Sequence, residues 1–367
     1  MIAIAGCSDV VSPVGDSILP PQDGITIDSL ELTAVSSETF RQSIIGVSST
    51  LLLGRSEGLE GRVMMKFTGI PTNKQTATID SATLRLRVSY LFRDSIGTLA
   101  LEIRKMLRAW SPSTFTWDSL NTAGTYNPAI DTTALFSITP QDSFIFIHIE
   151  PIVRGWFQSA TATPDGFAIL PSVGSTIVGG ISTLTTDTNY TPRLTISYHD
   201  TADTSTLTLN PYAESSVSNG TVPTTPGLEF VQAGVSYRTK FTFDLSRIPA
   251  AASITSAKLT VHVDTLASML NPWSRYQMLL HYATENATSP KLSATSLAGN
   301  PVDSTRATYV AEARQFVQLW HTGTANYGVV FRASGESITF DRYALFGATA
   351  TDTLLRPRIK IIYSILP

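Results

Sequence analysis

The sequence predicts an all-β protein: two tandem antiparallel β-sandwich, jelly-roll-like domains, each with one short helix. Three observations predict it. Short runs alternate apolar and polar residues with a period of two, as half-buried strands do. Gly, Pro, Asn and Asp punctuate those runs as sheet turns require. Three blocks of the first half recur, in the same order, in the second.

The chain has 367 residues, long for one domain and comfortable for two of roughly 150–180 residues. Charged residues make up 15% of it, against about 25% in an average soluble domain. Thr and Ser take much of the polar surface instead, and uncharged, β-branched sequence suits strands better than helices. A formal net charge of −3 supplies no basic field for nucleic acid and no polybasic patch for a membrane.

Cys7 is the single cysteine, so no intrachain disulfide forms. Ile4-Ala5-Gly6-Cys7 looks like a bacterial lipobox, whose cysteine becomes the lipidated first residue of the mature protein. A full signal peptide carries a basic start and an apolar stretch of about 7–15 residues. Residues 1–7 read as the remainder of such a signal. Residues 8–24 read as a tether, with Pro13, Gly15, Pro20, Pro21 and Gly24 and no apolar periodicity. No apolar run approaches the roughly 18 residues of a membrane-spanning helix, which leaves the lipid as the expected membrane contact.

The first sandwich is expected over residues 25–199 and the second over 205–367, joined by the short polar stretch from His199 to Ser205. Ile25 to Leu32 and Ala82 to Val88 alternate and read as strands with one wet face. Phe144 to Ile149 and Gly166 to Leu170 are more apolar and read as interior strands, and Arg193 to Tyr198 closes the half.

The repeat is legible residue by residue. Ile79-Asp80-Ser81-Ala82-Thr83-Leu84 answers to Ile254-Thr255-Ser256-Ala257-Lys258-Leu259. Pro192-Arg193-Leu194-Thr195-Ile196 answers to Pro357-Arg358-Ile359-Lys360-Ile361. Ile149, Ile152, Val153 and Trp156 stand at the spacing of one helical face, as do Ala313, Phe316, Val317 and Trp320. Each stripe is followed by a glycine and an apolar strand, Gly166-Phe167-Ala168-Ile169 and Gly328-Val329-Val330-Phe331. The stripe tryptophans, Trp156 and Trp320, are expected in the core.

With those residues in hand, the first half resembles the DNRLRE-type β-sandwich domain of secreted bacterial proteins, a family related to carbohydrate-binding modules. The matching stretches are Ala82-Thr83-Leu84-Arg85-Leu86, the two-tryptophan segment Ala109-Trp110-Ser111-Pro112-Ser113-Thr114-Phe115-Thr116-Trp117, the turn Val153-Arg154-Gly155-Trp156, and Pro192-Arg193-Leu194. The second half lacks the two-tryptophan segment and has Ala283 to Pro290 in its place. The tether and first strand resemble Bacteroidota surface lipoproteins. The resemblance implies a sandwich fold, a bacterial outer-membrane or cell-surface location, and a non-catalytic role such as polysaccharide binding.

Aromatic rings are the best ligand candidates, because sugars stack their C–H faces on Trp and Tyr. Trp110 and Trp117 flank a Ser-Pro-Ser-Thr-Phe-Thr loop, and Trp273 and Tyr276 stand near a turn after Pro272. The other reading of Trp110 and Trp117 is that they pack on their own sandwich. No catalytic or metal motif stands out: His148, His199, His262, His281 and His321 show no metal spacing, and no Gly-x-Ser-x-Gly elbow or phosphate loop is present. No cofactor is expected, although the Asp200 to Asp203 loop would allow a structural calcium ion. Triplets such as Asp28-Ser29-Leu30, Asp118-Ser119-Leu120, Asp264-Thr265-Leu266 and Asp352-Thr353-Leu354 resemble a periplasmic O-glycosylation site. The expected partner is a polysaccharide or surface glycan. The alternative is a structural subunit, coat or adhesion component that contacts other surface proteins.

Overall fold

The computed structural model describes residues 24–42, 48–92, 96–139, 144–160, 162–183, 187–271 and 276–366. Cys7, nearly all of the tether and Trp273 lie outside the described residues. The chain is all-β, with strands in two large antiparallel assemblies and, among the described residues, three short α-helices and one 3-10 turn.

The first repeat runs β1 (Thr26–Thr33), β2 (Ser36–Arg41), β3 (Leu51–Ser56), β4 (Leu59–Phe67), β5 (Thr78–Leu91), β6 (Gly97–Lys105), α1 (Trp117–Asn121), β7 (Thr132–Ile138), β8 (Phe144–His148), α2 (Glu150–Gln158), β9 (Phe167–Pro171), β10 (Val178–Ile181) and β11 (Arg193–His199). The second runs β12 (Thr204–Leu209), β13 (Pro211–Gly220), β14 (Leu228–Gln232), β15 (Tyr237–Thr242), β16 (Ala252–His262), β17 (Met278–Tyr282), β18 (Leu297–Pro301), β19 (Thr308–Glu312), α3 (Arg314–His321), β20 (Val329–Ala333), β21 (Arg342–Phe346) and β22 (Arg358–Ile365).

The two repeats fold alike down to their irregularities. On β5, Ala82, Leu84 and Leu86 point into the core, whereas Ile79 is buried out of that phase. A bulge opposite Ser197 and Tyr198 accounts for the change. β16 carries its bulge between Ile254 and Ser256, the matching place. The backbone N–H groups of Ala82 and Ala257 are then taken by carboxylates, Glu150 at 3.2 Å and Glu312 at 2.9 Å. Their carbonyls accept from Ile149 and Ala313, the residues that open α2 and α3. Small side chains at 82 and 257 let each helix sit down on its sheet. Trp156 is 1% exposed and Trp320 7%, so burying the apolar stripe is what holds these short helices.

The strand membership departs from a division at 199–205. β12 pairs with β11 and β13 with β4, so the first strand pair of the second repeat completes the first sandwich. β1 pairs with β22 and β2 with β15, so the first strand pair of the first repeat completes the second sandwich. Ala34 and Val35, between β1 and β2, donate to Pro357 and Thr242 and carry the chain from one sheet to the other. Leu32 and Ala34 accordingly belong to the core of the second sandwich. The repeats thus exchange strand pairs reciprocally. An alternating strand signals which of its faces is buried, and says nothing about which edge it joins.

An apolar seam joins the lobes: Leu52, Leu59, Phe92 and Val178 pack against Val235 and Phe340, with the Phe92 and Phe340 rings 6.2 Å apart. Burial, with Asp341 nearby, pushes the Tyr90 hydroxyl beside this seam well above its ordinary pKa. One sequence expectation is corrected here. Among the described residues β8 is an edge strand with β5 as its one strand partner, and Phe146 is 52% exposed, because Ile145 and Ile147 face the core. The Gly166 to Leu170 strand is interior as expected, with Phe167 to Pro171 buried throughout.

Candidate ligand-binding cleft between the lobes

Thr116 opens α1 with a reciprocal cap. Its hydroxyl accepts the Ser119 backbone N–H at 3.2 Å, and the Ser119 hydroxyl accepts the Thr116 N–H at 3.3 Å. Leu120 is the buried anchor of this short helix. The cap places Trp117 and Asp118 at the mouth of a cavity of about 200 Å³ between the lobes. β13 contributes Ser216, Val217 and Ser218 to it, the β14–β15 turn contributes Gly234, Val235 and Ser236, and the end of β2 contributes Arg41. The two exchanged strand pairs meet here: an Arg41 guanidinium N–H donates to the Ser218 carbonyl at 3.4 Å.

Trp117 is half-buried. The Arg62 guanidinium lies 4.2 Å from the centre of its ring, and is itself held by Glu60 at 2.7 Å and Asn121 at 2.8 Å. Ser236 is fully buried at a φ of 55°, and among the described residues its hydroxyl has no hydrogen-bond partner.

The other candidates are placed differently. Trp110 is 7% exposed and packs on Phe115 at 5.7 Å. Its ring N–H donates to the Asp165 carbonyl at 2.9 Å, and the buried Lys66 ammonium lies 4.9 Å from the ring centre while donating to the Trp110 carbonyl at 2.7 Å. As a ligand candidate Trp110 is corrected to a core residue, because its polar handle and its ring are both already occupied. Trp110→Ala is expected to cost about 3–5 kcal/mol of stability, measured by urea unfolding. Tyr276 has the Arg306 guanidinium 3.3 Å from its ring centre and does not line the cleft. Trp273 lies outside the described residues.

The Asp200 carboxylate is fully engaged. It accepts the Lys74 ammonium at 2.5 Å and the N–H groups of Ala202 and Asp203 at 2.9 and 3.0 Å. These partners hold its pKa down to about 2, with the Lys74 hydrogen bond the largest cause. The loop that would allow calcium forms a turn that Asp200 ties to Lys74. Among the described residues, no three His, Cys, Asp or Glu side chains come together as a metal site, and no helix is long and apolar enough to cross a membrane.

Arg41, Ser216, Ser218 and Ser236 escaped the sequence reading. Arg41 and the two β13 serines reach the cleft through strand exchange, which no local pattern announces. The one available signal was Ala233-Gly234, a turn between two apolar runs.

No family model matches the chain, and no curated protein matches it. Among solved structures it aligns with one described as the structure of the Macrobrachium rosenbergii nodavirus, at 10% identity, over 100% of this chain and 96% of that one. The TM-score is 0.14, and a likeness of that size carries no argument about fold or function.

Proposed function

We propose that this chain is a non-catalytic bacterial surface protein, anchored by a lipid on Cys7, that holds a polysaccharide or surface glycan at the cleft between its sandwiches. One observation carries the reading: Trp117 lines a concave cavity together with Ser216, Ser218 and Ser236 and with Arg41 and Asp118. An aromatic ring with a few convergent polar groups is what a sugar needs, since its C–H face is apolar and its rim is polar. The lipobox-like Ile4 to Cys7 supports the anchor, and the tether would hold the body off the membrane.

A glycan-array screen of the soluble chain tests the ligand. At least one polysaccharide class is expected to bind, and Trp117→Ala is expected to weaken it about tenfold. Binding to no glycan at all overturns the proposal. Mass spectrometry of the natural mature terminus tests the anchor, and an unmodified Cys7 removes it.

A second reading, a structural subunit of a surface assembly, is favoured by β7. Among the described residues its outer side has no strand partner, whereas its counterpart β18 pairs onward with β19. The seven residues Thr132 to Ile138 carry no charge or proline, and Leu135 is 72% exposed. Such an edge is a template for strand addition, and concentration-dependent sizing in which Leu135→Lys abolishes self-association would support it.

A further inference from the structure

The cleft has three features that narrow what it can take, given the glycan-binding reading on which they rest. Its volume is about 200 Å³, below the roughly 300–1,000 Å³ of pockets that enclose a drug-sized ligand. One sugar ring is the matching occupant, and a polysaccharide presents a single ring only at a chain end or a branch tip. Arg41 and Asp118 are the charged residues of the lining, and their charges cancel, so nothing there selects an acidic or a basic ring over a neutral one.

The third feature is Ser236. Leaving a buried hydroxyl unbonded costs about 1–3 kcal/mol, and a non-glycine residue at a φ of 55° adds backbone strain. Both persist at a residue that is 0% exposed and lines the cavity. The turn that carries it is wedged in place: a Cβ on Gly234 would stand 2.3 Å from the Phe340 ring. The hydroxyl is therefore held on a rigid support, as a preorganised binding group should be.

We propose that the cleft is an end-on subsite for the terminal pyranose of a neutral glycan, with the Ser236 hydroxyl bonding a ring hydroxyl and Trp117 against a C–H face. The site is single although the repeat is double. Trp117 comes from the segment found only in the first repeat, and Ser236 from a turn of the second.

The test is calorimetric titration of the full chain with neutral hexose oligomers of increasing length and with uronic-acid oligomers of matched length. End-on binding predicts an affinity that stops rising after the first one or two rings, and competition by the free monosaccharide. Ser236→Gly removes the hydroxyl while suiting the positive φ, so it is expected to lower affinity about tenfold without lowering the melting temperature. An affinity that climbs steadily with length, preference for the uronic-acid series, or wild-type binding by Ser236→Gly each overturns the end-on site while leaving glycan binding intact. Binding of no glycan overturns the proposed function itself.

Discussion

Cutting the chain inside the Asp200–Asp203 turn is expected to leave one particle with the mass of the uncut protein on native sizing. In a pair of beads on a string, a cut at this join would release two halves. Here each fragment holds a piece of the other's sandwich. The N-terminal fragment keeps β1 and β2, which pair with β22 and β15 along their whole lengths. The C-terminal fragment keeps β12 and β13, which pair with β11 and β4. Leu32 and Phe40 are 5% exposed and Val217 likewise 5%, and each such side chain contributes about 1.5–3 kcal/mol by leaving water. The Phe92–Phe340 seam adds to this. Full separation must strip both strand pairs at once, uncovering four strand edges and the apolar side chains beneath them. For the same reason the intact chain is expected to unfold in one cooperative transition. Two half-mass species appearing without denaturant would refute the interlock.

That exchange marks the boundary of what the sequence made legible. The repeat, the helical stripes and the closing strands are local patterns, and each is found where its period placed it. The bulge was present as the matched Ile-x-Ser-Ala blocks at 79–82 and 254–257, yet the capture of the neighbouring Ala82 and Ala257 N–H groups by Glu150 and Glu312 is a tertiary fact. Pairing is non-local, so β1 reads the same whether it covers β11 or β22. The site divides the same way. Trp117 was legible as an aromatic beside a hydroxyl-rich loop. Trp110 carried an equal signal and is core, because the Asp165 carbonyl and Lys66 that occupy it come from distant segments. Arg41 and Ser236 are unremarkable in sequence, and become notable only when the lobes bring them together.

Among backbone substitutions, a large loss of stability is expected of Gly166→Ala. The glycine follows α2 and leads into β9 at a φ of 80°, and its carbonyl accepts the Met106 N–H at 3.0 Å. An added Cβ would stand 1.8 Å from the Met65 carbonyl oxygen in β4. A backbone carbonyl in a paired strand cannot rotate away as a side chain would. The left-handed φ costs about 1–2 kcal/mol for a non-glycine residue, and forced repacking adds about 1–3 kcal/mol. The sum, roughly 2–5 kcal/mol, is a large part of a domain's stability. Gly328 is the counterpart after α3, at a φ of 102°, with the Phe241 carbonyl 2.6 Å from the added Cβ and its own carbonyl taken by Ala283. Gly328→Ala is expected to follow the same course with a smaller loss. Urea midpoints measure both, and Gly58→Ala is the control: its φ of 75° carries the same kind of strain, but nothing lies within 4 Å of the added Cβ. If Gly166→Ala falls no further than Gly58→Ala, the close approach of β9 to β4 does not hold. If it falls well below, the two glycines that punctuate the sequence after each tryptophan stripe are explained by one requirement: the chain leaving the helix must pass against the backbone of the neighbouring strand, where only a hydrogen fits.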